Sequence, residues 1–336
     1  MTMQEIWQWG INLILLLQSN ASWLDAMRWV TFTGSTEFFL FVLPALYWLV
    51  DRRLAARLAT LLLLSIALGS ILKIAAHGPR PYWIDARIQL LGGEEPTFGL
   101  PSLHAMNAMV MWPLLAHYLN RLWAWVVALF LIVVAGTARV YLGVHFPSDV
   151  IVGWLLGLLL LVLWMLWAQP IGDWFVGRTA AQQRIMALYL SIGVVLLGAV
   201  VRLLTLIFWN PTAGWVGRWP QHADRFFQAF SLGDVVTAAA VFAGMVSGLH
   251  FCRRYGHFVM AGRVLQLMGR YLIGVVGVLI LWQGLDIAFA LVATDDTAFG
   301  YALRYLRYGL IGFWIFGLAP LVFVTMRLAQ REDSGD

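Results

Sequence analysis

Charge is scarce in this chain. Of 336 residues, 22 are Lys or Arg and 17 are Asp or Glu, so 12% are charged against 61% hydrophobic, and the mean hydropathy is +0.79. That is too little charge to cover a water-facing surface of this size, which excludes a soluble globular protein, a disordered one and a nucleic-acid-binding partner surface. Cysteine is almost absent: Cys252 stands alone, which excludes an internal disulfide and a cysteine-rich metal cage. Basic residues are missing before the first apolar run, where MTMQEIWQWG carries only Glu5. The expectation is therefore a retained first helix and not a cleaved signal peptide. No repeat with a solenoid period is present, and the leucine run from Leu155 to Leu163 is ordinary span composition.

What remains is hydrophobic length. A helix needs about 20 mostly apolar residues to cross the hydrocarbon core. Nine stretches of that order are bounded by charges, Pro or Gly: Ser35 to Val50, Leu54 to Ala76, His104 to Leu119, Leu122 to Leu142, Asp149 to Gln169, Ile185 to Trp209, Leu232 to Phe251, Tyr271 to Val292 and Tyr305 to Met326. The fold expected is all-α, a polytopic integral membrane helical bundle of about nine transmembrane helices. Interfacial N-terminal helices over 1–34 precede a core over 35–170, an additional four-helix membrane region over 171–330 and a polar tail over 331–336. Most of the 18 tryptophans, including the run from Trp209 to Trp219, fit interfacial belts. When alternate loops are assigned to opposite sides, twelve basic residues fall on one side: Arg52, Arg53, Arg57, Arg121, Arg178, Arg184, Arg253, Arg254, Arg263, Arg270, Arg327 and Arg331. The positive-inside rule puts these in the cytoplasm. The opposite face, toward a periplasm or equivalent lumen, then carries Lys73, Arg80 and Arg139.

Three segments at that outward face concentrate polar groups: KIAAHGPRP from Lys73 to Pro81, PSLH from Pro101 to His104, and ARVYLGVHFPSD from Ala138 to Asp149. Lys73, Arg80 and Arg139 suit a dianionic phosphate, with planar guanidinium forks binding oxygens in pairs and the lysine acting as a point charge. Phosphoryl transfer is mostly positioning and charge stabilisation, which such cations supply. Pro101 and Ser102 directly before a helix place a hydroxyl and free backbone N–H groups, that of Leu103 among them, at its positive end, a cradle for anionic oxygens. His145 and Asp149 are four apart at a helix entry, so the carboxylate can hold one imidazole nitrogen and leave the other to attack phosphorus. His104, arriving on another helix, can protonate the leaving oxygen.

At these residues the chain resembles the type-2 phosphatidic acid phosphatase superfamily. Its three-part pattern reads Lys, six residues, Arg-Pro; then Pro-Ser-Gly-His; then Ser-Arg, five residues, His, three residues, Asp. Lys73, Arg80 and Pro81 match the first part, Pro101, Ser102 and His104 the second, and Arg139, His145 and Asp149 the third. Leu103 stands where the family has glycine, and Ala138 where it has serine. The resemblance implies a metal-independent phosphatase, without cofactor, that forms a phosphohistidine at His145 with Asp149 behind it. It also implies His104 as acid, and Lys73, Arg80, Arg139 and Ser102 on the phosphate. The nine-span layout and the run RPYW from Arg80 to Trp83 resemble the glucose-6-phosphatase branch. PSLH resembles inositol phosphorylceramide synthases, which pass the phosphoryl group to an alcohol.

Each residue also has a plainer reading. Arginines at helix ends are commonly topology markers or snorkelling anchors. Lys73, the sole lysine, falls at a motif position. His117, His250 and His257 read as structural histidines near cytoplasmic ends, and His77, inside the first motif, has no role in the family pattern. A zinc site from His77, His104, His145 and Asp149 is chemically imaginable, but three cations beside a divalent ion are unfavourable without phosphate between them. Arg202, Asp234 and Asp286, within or near spans, are expected to pair structurally. The stretch Tyr82 to Leu100, with Glu94 and Glu95, reads as a lid, a specificity element or a linker. The function expected is hydrolysis of a phosphomonoester or pyrophosphate at the outward face, with a lipid phosphate first among substrates. A sugar phosphate, or transfer to an alcohol, is the alternative, and a transporter that binds phosphate without chemistry is the alternative outside catalysis. Expected partners are membrane lipids and a phosphorylated lipid or small molecule, with no obligate protein partner. The expected location is a bacterial inner membrane, with the site facing the periplasm.

Overall fold

The structure is a computed structural model that describes residues 2–209, 228–295 and 297–331. Among these the chain is helical, and its one sheet-like feature is an isolated bridge between Phe258 and Arg331. The helices are α1 (Met3–Gln18), α2 (Leu24–Phe32), α3 (Thr36–Leu49), α4 (Arg52–Ala76), α5 (Pro81–Ile84), α6 (Leu103–Leu119), α7 (Leu122–Tyr141), α8 (Pro147–Val176), α9 (Ala180–Phe208), α10 (Gly233–Phe251), α11 (Val264–Leu279), α12 (Leu285–Ala290), α13 (Ala298–Phe313) and α14 (Ala319–Thr325). Short π-helical turns follow α10, α11 and α13. The tryptophan-rich run beyond Trp209 and the tail from residue 332 lie outside the described residues.

Among the described residues, seven helical stretches are long and apolar enough to cross a bilayer: Arg52–Ile84, Leu122–Tyr141, Pro147–Val176, Ala180–Phe208, Gly233–Tyr255, Val264–Ala290 and Ala298–Thr325. An eighth appears if Leu24–Phe32 and Glu37–Leu49, bent by 48°, count as one span. The ninth stretch expected from sequence is α6, which is 17 residues long. Its length is set by its ends. Ser102 is its N-cap, and Asn120 closes it in the left-handed conformation at φ 49°. The spanning helices present apolar side chains outward, for example Leu122, Phe130, Leu155, Leu166 and Leu203, the arrangement of an integral membrane protein, whose lipid contacts cost nothing to leave exposed.

The described chain forms two compact units, each drawn from three stretches of sequence. The first takes Met1–Phe39, Leu68–Leu166 and Leu197–Ser231. In it, Ile11 and Ile14 of α1 pack in one buried cluster with Ile88, Ala105, Val140, Phe146 and Val150. Trp7 stacks on Phe146 with ring centroids 6.4 Å apart. The end of α1 is tied down as well. Gln18 Nε2 donates to the carbonyls of Gln89 (2.8 Å) and Tyr141 (2.9 Å), and its Oε1 accepts from Gln89 N–H at 3.0 Å. α8 approaches α6 closely because Gly153 and Gly157 lack side chains: a Cβ on Gly153 would lie 2.6 Å from the carbonyl oxygen of Ser102.

The second unit takes Leu40–Ala67, Trp167–Leu196 and Leu232–Asp336. α10 and α13 meet through small residues, with Gly244 against the backbone of Gly309 and Gly312 against that of Val241. Two of its charged side chains find partners close by. Arg307 forms an ion pair with Asp286, the structural pairing expected for that aspartate. Buried Arg270 donates to the carbonyls of Met260, Ala261 and Leu328.

Candidate active site

The site in the first unit is assembled from helix ends. Lys73 stands in the last turn of α4, and Arg80 is the N-cap residue of α5. Ser102 is the N-cap of α6, with Leu103 and His104 in its first turn. Arg139 is in the last turn of α7, His145 lies in the connection between α7 and α8, and Asp149 is in the first turn of α8. α4 stops before His77 at φ 39° and α7 before Gly143 at φ 76°, left-handed positions that break a helix, while Pro81 and Pro147 fit the first turns of α5 and α8. Lys73, Arg80, Ser102, Arg139, His145 and Asp149 are all buried.

Hydrogen bonds join the three sequence segments into one network. Asp149 Oδ2 faces His145 Nδ1 at 3.4 Å and accepts the Phe146 N–H at 2.9 Å. The Asp149 carbonyl accepts the Ser102 N–H at 3.0 Å, fastening the start of α6 to that of α8. The Asp149 contact is on Nδ1, so Nε2 of His145 is the nitrogen turned to the cations, with Arg80 Nη1 at 3.4 Å. Arg80 also donates to the carbonyls of Val144 (2.8 Å), Thr97 (2.6 Å) and Phe98 (3.2 Å) and to the Thr97 hydroxyl (3.0 Å). Lys73 Nζ donates to the same Phe98 carbonyl at 2.7 Å.

Burial first, then the positive charges of Arg80, Lys73 and Arg139, hold the His145 imidazole well below its ordinary range, so the ring is neutral. His104 lies within the electrostatic reach of Lys73 and Arg80. It lines a cavity of about 460 Å³ together with Arg28, Thr31, Ser35, Gly92 and Gly93. Arg139 reaches the Thr31 hydroxyl at 3.2 Å.

Within the residues of the cluster, two buried polar atoms have no hydrogen-bond partner: Ser102 Oγ and Arg139 Nε. A donor left unsatisfied in a buried site is costly, and an anion supplying oxygens would satisfy both. Leu103, in place of the expected glycine, is accommodated because its side chain lies against Gly69 of α4. Among the described residues no group of three or more His, Cys, Asp or Glu is placed to hold a metal ion.

The structure thus brings together Lys73, Arg80, Ser102, Arg139, His145 and Asp149, with His104 at their edge. The other histidines among the described residues stand apart. His77, held at φ 39°, packs against Trp209 with ring centroids 4.7 Å apart. His117 is at the far end of α6, and His250 and His257 belong to the second unit. One residue enters that was read only as part of a loop. Glu95 pairs with Arg80 at 2.7 Å and with Arg139, and its Oε2 is 3.9 Å from His145 Nε2. Its position in a 19-residue connection between two motifs carries no spacing signal that could have placed it there.

Comparison with known proteins gives two matches to one family: residues 54–173 match the PAP2 superfamily, and residues 236–331 match the PAP2 superfamily phosphatase transmembrane extension. The chain is 25% identical over 298 residues to lipid phosphate phosphatase delta of Arabidopsis thaliana, covering 81% of this chain and 64% of that protein. It is 40% identical over 78 residues to phosphatidylglycerophosphatase B of Bacillus subtilis, covering 20% of this chain and 38% of that protein. It is 28% identical over 228 residues to glucose-6-phosphatase 3 of Bos taurus, covering 60% of each. The chain therefore spans less than two thirds of the length of each of these relatives.

Proposed function

Because this chain carries a PAP2 superfamily domain followed by that family's transmembrane extension, we propose that it is an integral membrane phosphatase. It hydrolyses a phosphomonoester or pyrophosphate, of a lipid in the first instance, at the outward face of the membrane through a phosphohistidine. The observation that carries this reading is the buried cluster itself. It combines three buried cations, a neutral imidazole backed by a carboxylate, and two buried donors without a partner, and the Glu95 carboxylate bridges two of the cations.

The chemistry follows from the geometry. Arg80, Arg139 and Lys73 neutralise the phosphoryl oxygens, and Ser102 Oγ adds a hydrogen bond at the positive end of α6. Asp149 fixes the Nδ1–H tautomer of His145, so that Nε2 carries the lone pair and faces the Arg80 guanidinium. Nε2 attacks phosphorus, the bond from phosphorus to the leaving oxygen breaks, and His104, which carries a proton once the bound dianion offsets the charges of Lys73 and Arg80, donates that proton to the oxygen and becomes neutral. Water then attacks the phosphohistidine and gives its proton to His104. The P–N bond breaks, and both imidazoles are restored as phosphate leaves. No step calls for a metal ion.

A lipid substrate is favoured because the site is built from helix ends, where a head group can be held while tails stay in the bilayer, and because relatives are named for lipid phosphates. The glucose-6-phosphatase relative and the RPYW run favour a sugar phosphate as the second reading. The test is phosphate release by detergent-purified protein from phosphatidic acid, phosphatidylglycerophosphate and glucose 6-phosphate, beside His145→Ala. Release from a lipid substrate by the wild type alone is the result expected. Turnover retained by the variant removes the nucleophile, and release from the hexose phosphate alone favours the second reading.

A further inference from the structure

Glu95 occupies the place that the proposed reaction reserves for phosphorus. Its carboxylate spans Arg80 and Arg139, and Oε2 lies 3.9 Å from the nitrogen that would attack. With both arginines buried, no phosphoryl group can fit between them and His145 Nε2 while the carboxylate stays. Both arginines need a counter-charge in the absence of substrate, because burying an uncompensated cation is severely unfavourable. Glu95 supplies it from within the chain.

The geometry also shows how it leaves. The backbone of Glu95 is held on both sides by Tyr82, whose hydroxyl donates to the Glu95 carbonyl at 2.9 Å and accepts the Glu95 N–H at 3.3 Å. The neighbouring Thr97 and Phe98 carbonyls are held by Arg80 and Lys73. The side chain, by contrast, is 27% exposed. Displacement therefore requires a change of side-chain rotamer and no movement of the loop.

We propose that Glu95 is a specificity-determining residue: an internal competitor that holds the pocket against phosphodiester head groups and yields to a terminal phosphate. The inference rests on reading the cluster as a phosphate site. A carboxylate offers two oxygens and one charge. A phosphodiester anion likewise offers two free oxygens and one charge, so it gains little by displacing Glu95. A phosphomonoester dianion brings a second charge and a third free oxygen, and the cluster holds two donors that Glu95 leaves unsatisfied, Ser102 Oγ and Arg139 Nε. For a site at a bilayer surface the distinction matters, because the surrounding lipids are mostly diesters at far higher concentration than any monoester.

The test compares full-length wild type, Glu95→Gln and Glu95→Ala in detergent micelles. Phosphatidic acid is the substrate, phosphatidylglycerol the added diester and inorganic phosphate the ligand in a titration that needs no turnover. In both variants phosphate is expected to bind about tenfold more tightly, the scale of one charge-assisted contact removed from competition. The KM for phosphatidic acid is expected to fall in parallel, with kcat little changed. Phosphatidylglycerol is expected to inhibit the variants competitively at concentrations that leave the wild type unaffected. Weaker phosphate binding in both variants would mean that Glu95 orders the arginines for the ligand, and would overturn the proposal. So would unchanged affinity together with unchanged sensitivity to diester. If wild type releases no phosphate from any monoester, the phosphatase reading falls, while the titration still decides whether Glu95 competes for the anion.

Discussion

At the scale of single residues, the site depends on which atoms are left unsatisfied and which charges are withheld. Ser102 Oγ makes no internal hydrogen bond although the residue is fully buried. Ser102→Ala is therefore expected to leave folding intact while raising the KM for a phosphomonoester and weakening phosphate binding about tenfold or more, as loss of a hydrogen bond to a charged group does. Steady-state kinetics and a phosphate titration check both. His145 has its folded pKa pushed below the ordinary value of about 6.5 by burial and by the three cations. On acidification the unfolded chain then takes up this proton before the native one does, so stability is fully present above pH ~6.5 and declines as pH falls below it. Thermal unfolding at pH 7.5 and 5.5 should show this loss in wild type and less of it in His145→Gln. The residues of the cluster were legible in the sequence because their chemistry fixes their spacing: an i, i+4 pair for imidazole and carboxylate, a hydroxyl at a helix start, cations at helix ends. Glu95 was not, since a loop side chain reaches its partners by a path that no periodicity encodes.

At the scale of elements, close helix contact sets the register of the site. A Cβ on Gly153 would lie 2.6 Å from the Ser102 carbonyl oxygen, a backbone atom that cannot turn aside. Gly153→Ala must therefore push α6 from α8 and strain the hydrogen bond between Ser102 N–H and Asp149. We expect kcat/KM to fall about tenfold or more, since sub-ångström errors in placing reacting groups are costly. Gly193, whose added Cβ would meet nothing within 4 Å, supplies the control: Gly193→Ala should leave the rate unchanged. Spans were readable from hydrophobic length, and seven of the nine expected coincide with long apolar helices. The remaining two are short or bent: α6 at 17 residues, and α3 joined to α2 at 48°. Hydrophobicity reports that a segment prefers lipid, but not where caps stop it. The packing of α1 was likewise not legible, because an apolar face does not name its partner.

At the scale of the whole molecule, the order of the sequence and the grouping of contacts differ. Each compact unit combines stretches far apart in the chain, because α3, α4, α8 and α9 each contribute residues to both. The cations that neutralise the proposed substrate belong to the protein. Phosphate release is accordingly expected to survive an excess of chelator within about twofold, and a requirement for added magnesium would contradict the charge assignment. Assay of the same preparation before and after chelation decides it.

The fastening of α1 carries a practical consequence. The family match starts at residue 54, yet the turn bearing His145 leans on Trp7, Ile11 and Ile14, and Gln18 pins the exit of α7. A truncated protein trimmed to the recognisable homology would keep every motif and still lose the brace behind His145, so expression trials that discard the first helices should yield inert material.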